Sequence, residues 1–133
     1  MRYPVLDIWT DAITLDQALN RVADFVDKGE RPHTIFATNP EKNFSVPKDP
    51  LLFDSFKHAD LLLPDGIGMV WGAKLLHGVK LSRIPGCEFM QEICALSEKR
   101  GYKVFIYGAK KEVNNKAVNK LKERFPEIRI VGS

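Results

Sequence analysis

The sequence is poor in cysteine and has no apolar run long enough to cross a bilayer. Only Cys87 and Cys94 are cysteines among the 133 residues. On one predicted helix they share a face two turns apart, too far for a disulfide, and we expect both to be small core residues. The longest apolar segments are of strand length, well below the ~20 residues that a membrane span requires.

Common signals for secretion, metal binding and nucleotide binding are also absent. The N-terminus has no apolar core followed by a cleavage site, so we expect a cytoplasmic location. The three histidines, His33, His58 and His77, form no ligand motif, so no metal site is predicted. Neither G-x-G-x-x-G nor G-x-x-x-x-G-K-[ST] occurs, which disfavours NAD binding and a P-loop nucleotidase. We expect no cofactor.

Charge is distributed unevenly along a chain whose length fits one domain. Residues 1–98 carry 10 basic and 14 acidic side chains, whereas residues 99–133 carry 10 basic and 3 acidic ones. The basic last third could contact phosphates, an anionic membrane or nucleic acid, or it could be a solvated helix face. We rank nucleic-acid binding last, because no aromatic platform accompanies the lysines.

Strand-like runs alternate with helical patterns along the chain. Helices are predicted over residues 14–29, 50–59, 67–77, 87–100 and 111–124, and strands over residues 5–9 with 12–13, 33–38, 61–63, 102–107 and 128–131. This order is typical of a Rossmann-like α/β fold with a mostly parallel sheet and helices on both faces. Because a strand-like run is the last element, residues 1–133 read as a single domain cut short.

Two helix starts carry clear capping signals. Thr14 is followed three residues later by Gln17, which is the pattern of a capping box. Asp49 precedes Pro50, which places an N-cap aspartate before a proline at the first helical position.

The most informative stretch is Asp60-Leu-Leu-Leu-Pro-Asp-Gly-Ile-Gly68. Three leucines before a proline indicate a short strand buried on both faces, and Asp65 then falls at its carboxyl end, where α/β proteins bind ligands. Gly66 and Gly68 would let the backbone turn tightly into the next helix. Asp65 could be a general base at a cleft or an N-cap of that helix.

Other polar or glycine-rich positions follow neighbouring strands. Thr38 and Asn39 end one strand, with their polar atoms expected to be free, and Gly108 opens the turn before a helix with nearby lysines. Parallel strands with right-handed crossovers would bring these positions to one rim with Asp65. Arg83, on a loop, could bind phosphate oxygens in a bidentate manner.

The ordered segments Thr38-Asn39-Pro40, Leu63-Pro-Asp-Gly-Ile-Gly68 and Arg83-Ile-Pro-Gly86 resemble the motifs of the WecG/TagA/CpsF glycosyltransferase family. The resemblance covers the whole chain, but the chain corresponds to only about the first half of such a protein. The family's later segments and its C-terminal basic, membrane-docking appendage have no counterpart in residues 1–133.

The resemblance implies an inverting, metal-independent transfer of an N-acetylmannosamine-type sugar from a UDP donor to undecaprenyl-diphosphate-linked N-acetylglucosamine, in teichoic-acid, common-antigen or capsule synthesis. Asp65 would deprotonate the acceptor, Thr38 and Asn39 would position the donor, and Arg83 would bind the diphosphate. Gly66, in the Asp65 turn, and Gly108, before a helix whose free N–H groups favour anions, are also expected to border the substrate. The resemblance further implies a peripheral location at the inner face of the membrane, with homo-oligomer formation left open. The alternative is a noncatalytic nucleotide-binding or regulatory domain.

Overall fold

A computed structural model describes residues 1–133. The chain forms two compact units, residues 1–89 and 90–133, and each is described by itself. The helices are α1 (Leu15–Lys28), α2 (Lys42–Ser45), α3 (Pro50–Lys57), α4 (Ile67–His77), α5 (Gly86–Arg100) and α6 (Lys111–Arg124). The strands are β1 (Arg2–Val5), β2 (Ile8–Asp11), β3 (Ile35–Thr38), β4 (Leu61–Pro64), β5 (Lys103–Phe105) and β6 (Arg129–Gly132). No helix combines the length and apolar character needed to span a membrane.

The strands of the first unit form an antiparallel hairpin and a parallel pair. In the hairpin, β1 pairs with β2, about three residues earlier in the chain than the sequence pattern indicates. Strand β3 pairs in parallel with β4, from Ile35 opposite Leu61 to Thr38 opposite Pro64. The three leucines of β4 are buried, as predicted. The mixed α/β class is confirmed, although the strands pair in two-stranded ladders and not in one continuous sheet.

Asp11 connects the hairpin to β4. One of its carboxylate oxygens accepts the backbone N–H of Leu62 at 2.8 Å, and the other accepts Nε–H of Arg2, also at 2.8 Å. A buried carboxylate is costly unless its charge is paired and its oxygens are hydrogen-bonded, and Arg2 satisfies this requirement. Asp11 thus bonds its register partner Arg2 within the hairpin and attaches the hairpin to β4 through Leu62.

Both predicted helix caps are present. The Thr14 hydroxyl accepts the N–H of Gln17 at 3.3 Å, and the Gln17 side chain accepts the N–H of Thr14 at 3.0 Å. The Asp49 carboxylate accepts the N–H groups of Leu51 and Leu52, with Pro50 at the first helical position. These short-range signals locate the starts of α1 and α3 correctly.

The second unit contains a parallel pair, β5 with β6, and a small core. Its buried apolar cluster consists of Cys94, Leu121, Phe125 and Ile128. Burial raises the pKa of the Cys94 thiol.

The expectation that both cysteines are core residues is wrong for Cys87, which is exposed in the first turn of α5. Phe89, two residues further along the helix, takes the buried position in that turn. A spacing of seven residues places Cys87 and Cys94 on one face of a helix. It does not show that the buried part of that face stops short of Cys87.

Candidate functional site

Asp65 lies immediately after β4, at the carboxyl end of the parallel pair, and is half-buried. Its backbone N–H donates to the carbonyl oxygen of Thr38 at 3.0 Å, which holds the turn against the end of β3. The N-cap of α4 is Gly66, and no side chain caps this helix. The capping explanation for Asp65 is therefore wrong, and its carboxylate makes no hydrogen bond or ion pair within the chain.

The glycines after Asp65 serve close packing and not an unusual backbone conformation. Gly66 has φ of −84° and ψ of 141°, which other residues adopt readily. A Cβ atom on Gly66 would lie 2.5 Å from Cδ of Pro40 and 3.2 Å from Cα of Asn39. On Gly68 it would lie 2.5 Å from Cγ of Pro40. The Asp65 turn therefore packs directly on the segment that follows β3.

Thr38 is fully buried, so the expectation that its polar atoms are free at the strand end is wrong. Its hydroxyl donates to the carbonyl oxygen of Leu63 at 2.8 Å and lies 3.2 Å from the hydroxyl of Thr10. Its own carbonyl oxygen accepts the N–H groups of Asp65 and Gly66. In this structure Thr38 positions the Asp65 turn through its backbone, and direct contact of Thr38 with substrate stays a prediction.

Asn39 is half-buried and lies against Gly66. Its side-chain oxygen accepts the N–H of Lys42 at 3.2 Å, a short-range bond within the turn after β3, so this oxygen is not free as expected. The side-chain NH₂ group makes no hydrogen bond within the chain. Asn39 thus retains two donors beside the Asp65 turn.

Arg83 is anchored to the Asp65 turn. Leu81 and Ile84 are buried on either side of it, and the N–H of Ile84 donates to the carbonyl oxygen of Pro64 at 2.8 Å. This attachment leaves Arg83 exposed, with Nε donating to the backbone carbonyl of Asp65 at 2.7 Å. Its two terminal nitrogens make no hydrogen bond within the chain, so their N–H groups are available to an anion.

Gly86, the first residue of α5, borders the same carboxylate, a role that is not predicted from its sequence context. A Cβ atom on Gly86 would lie 2.9 Å from Cβ of Ala37 and 3.7 Å from Oδ2 of Asp65. The signal that could have indicated this position is the Pro85-Gly86 pair that closes the Arg83 loop.

Gly108 lies in the second unit, so its predicted place on a rim with Asp65 stays a prediction. Gly108 has φ of 109° and Ala109 has φ of 61°, both in the region that favours glycine. The side-chain amide of Asn114 donates to the carbonyl oxygens of Gly108 and Ile106, at 3.1 and 3.2 Å. Asn114 was not identified from the sequence, because its partners are set by the turn geometry.

The family model described as the glycosyl transferase WecG/TagA/CpsF family matches residues 3–133. The chain belongs to this family. Membership confirms the resemblance seen in the motifs around Thr38, Asp65 and Arg83. In this WecG/TagA/CpsF chain, no group of three or more His, Cys, Asp or Glu side chains is arranged to hold a metal ion.

Curated relatives carry the name N-acetylglucosaminyldiphosphoundecaprenol N-acetyl-beta-D-mannosaminyltransferase. The protein from Bacillus subtilis (strain 168) is 37% identical over 98 residues, which are 74% of this chain and 38% of that protein. The protein from Staphylococcus aureus (strain MRSA252) is 29% identical over 126 residues, covering 93% of this chain and 49% of that protein. The chain thus spans less than half the length of these relatives.

Proposed function

We propose that this chain carries the catalytic base of a glycosyltransferase that moves N-acetylmannosamine from a UDP donor to undecaprenyl-diphosphate-linked N-acetylglucosamine, in bacterial cell-surface polymer synthesis. Family membership and the relatives' names support the sugar and the acceptor. The observation that carries the catalytic part is the unpaired carboxylate of Asp65, a residue whose backbone N–H donates to Thr38 and whose carbonyl oxygen accepts Nε–H of Arg83.

In the proposed reaction, Asp65 accepts the proton of the acceptor hydroxyl. The hydroxyl oxygen then forms a bond to the anomeric carbon of the donor, and the bond from that carbon to the UDP oxygen breaks, with UDP taking the electron pair. One base and a single displacement invert the anomeric configuration. General-base catalysis of this type contributes typically about 10²- to 10⁴-fold to a rate.

Arg83 binds the donor diphosphate in this proposal. Its Nε is held by the Asp65 carbonyl, so the guanidinium plane is already oriented while its terminal N–H groups remain available. A pre-oriented arginine loses less conformational entropy on binding phosphate than a free one. The two donors on Asn39 would contact the donor sugar, and Gly66 would keep that surface open.

We also propose a second phosphate contact, chemistry without a metal ion or cofactor, and a peripheral location. Gly108 would contribute to phosphate binding through the turn before α6, whose first residues include Lys111. Transfer would need no metal ion and no cofactor, with Arg83 offsetting the diphosphate charge. The protein would act peripherally at the inner face of the membrane, where its lipid-linked acceptor resides.

The test is sugar transfer by this chain and by a chimera in which it replaces the matched segment of the Bacillus subtilis relative. UDP-N-acetylmannosamine and a water-soluble, short-chain N-acetylglucosaminyl diphosphate serve as substrates, with and without EDTA. We expect Asp65→Asn to lower kcat about 10²-fold or more with little change in stability, because the carboxylate makes no contact that the fold needs. Arg83→Ala should mainly weaken donor binding.

Asp24→Asn, the same change at an exposed aspartate of α1 away from Asp65 in the chain, is the control and should leave transfer unchanged. Full transfer by the Asp65→Asn chimera would overturn the assignment of the base. Donor binding without transfer by any form would favour the noncatalytic nucleotide-binding alternative. Activity lost in EDTA would contradict the metal-independent step.

A further inference from the structure

Helix α4 presents an apolar stripe to solvent that the fold does not use. Ile67, Trp71 and Leu75 recur every four residues on one face and are 60%, 72% and 87% exposed. The opposite side of α4 packs into the core through Met69 and Ala73. Large apolar side chains that are adjacent and exposed mark an interaction surface more often than isolated ones do.

The charges around this stripe have one sign. Between Gly66 and Cys87 the chain contains Lys74, Lys80 and Arg83 and no acidic residue. Lys74 lies beside Trp71 and Leu75 on the exposed face of α4 and is itself exposed. A tryptophan, an isoleucine and a leucine flanked by lysines suit the boundary between lipid headgroups and acyl chains, where the ring and stem are apolar and the ammonium group meets phosphate.

The stripe lies next to Asp65 along the chain. The stripe begins two residues after Asp65 and continues for eight residues of helix, which is about 12 Å. The relatives act, by their names, on an acceptor linked to undecaprenol, a polyprenyl lipid that resides in the bilayer. A surface that rests on the bilayer next to Asp65 would bring the carboxylate to the level of lipid headgroups.

We propose that the stripe Ile67–Trp71–Leu75, with Lys74 and Lys80, docks the first unit on an anionic bilayer. The choice of partner rests on the proposed function, but the docking does not require transfer to occur. The apolar side chains insert at the boundary of the acyl chains, and the lysines contact anionic headgroups. The amino end of α4 then holds Asp65 beside the diphosphate of a membrane-embedded acceptor.

The experiment measures cosedimentation of this chain with vesicles of phosphatidylcholine, alone or mixed with phosphatidylglycerol. We expect binding to the mixed vesicles, reduced about tenfold or more in the Trp71→Glu/Leu75→Glu double variant, because two apolar anchors become anionic. Lys74→Gln should reduce binding about fivefold and only with phosphatidylglycerol present. Leu51→Glu changes an 82% exposed leucine of α3 and should bind as the unchanged chain does.

Binding by the double variant equal to that of the unchanged chain would overturn the proposal and assign any membrane contact to another surface, such as the basic residues after 98. A concentration-dependent dimer that the double variant abolishes, without vesicle binding by either form, would instead assign the stripe to a second copy. Circular dichroism confirms that each variant is folded. Transfer to the water-soluble acceptor is measured in parallel. Absence of vesicle binding by the unchanged chain, with transfer intact, would contradict this inference alone, whereas vesicle binding without transfer would contradict the proposed function alone.

Discussion

Two turns lead from a parallel strand into a helix, and they use glycine for different reasons. After β4, Gly66 has an ordinary backbone conformation but no room for a Cβ atom against Pro40. After β5, Gly108 has φ of 109° and nothing within 4 Å of the position a Cβ atom would take. The first turn is fixed by packing, and the second by backbone conformation.

The two turns also differ in the contacts that hold them in place. The turn at Asp65 is bonded to Thr38 on one side and to Arg83 on the other. The turn at Gly108 is held by the amide of Asn114, from within its own strand-turn-helix segment. A carboxylate that must meet a reacting hydroxyl needs the first kind of support, because small displacements are costly in catalysis.

The largest effect is expected for Gly66→Ala. The new Cβ atom would lie 2.5 Å from the Pro40 ring and 3.2 Å from the backbone of Asn39, so the Asp65 turn must move. We expect a loss of about 2 kcal/mol in the free energy of unfolding. Urea titration followed by circular dichroism measures it. An unfolding midpoint equal to that of the unchanged chain would show that the two segments are not in close contact.

A smaller effect is expected for Gly68→Ala. It should be attributable to Pro40, because the new Cβ atom would meet that residue alone. We expect a loss of about 1 kcal/mol, most of which is recovered when Pro40→Ala removes the ring. The double-mutant cycle is measured by the same urea titration. Additive losses in the double variant would contradict a packing role for the proline. Gly66→Ala should be rescued less by Pro40→Ala, because the backbone of Asn39 remains.

An effect no larger than that of Gly68→Ala is expected for Gly108→Ala, for which conformational strain at positive φ costs about 1 kcal/mol. No neighbouring substitution should rescue it, since no atom is displaced. The measurement is the urea midpoint of unfolding of the Gly108→Ala variant, compared with that of the Gly108→Ala/Asn114→Ala double variant. If removing the Asn114 side chain restored stability, strain at the turn would come from the amide bonds and not from the backbone.

Local signals in the sequence predicted the helices well. Thr14 with Gln17, and Asp49 with Pro50, placed helix starts correctly because the bonding partners lie within three residues. The predicted bounds of α4 and α6 also agree with the structure. The position of Asp65 after a buried strand followed from three leucines and a proline.

Contacts between distant segments could not be predicted in the same way. The burial of Thr38 depends on Thr10, 28 residues earlier, and on the carbonyl of Leu63, 25 residues later. The role of Gly66 depends on Pro40, and that of Gly86 on Ala37. Each of these pairings requires knowledge of which segments lie side by side, which neither periodicity nor turn chemistry supplies.

The Asp11 carboxylate has a consequence for how the first unit folds. Its bond to the N–H of Leu62 closes a separation of 51 residues, and Arg2 must already be near to balance the charge. Contacts of such long range slow folding, because chain entropy is lost before the contact stabilises anything. The hairpin is synthesised before β4, so its buried charge gains this second partner only after β4 has left the ribosome.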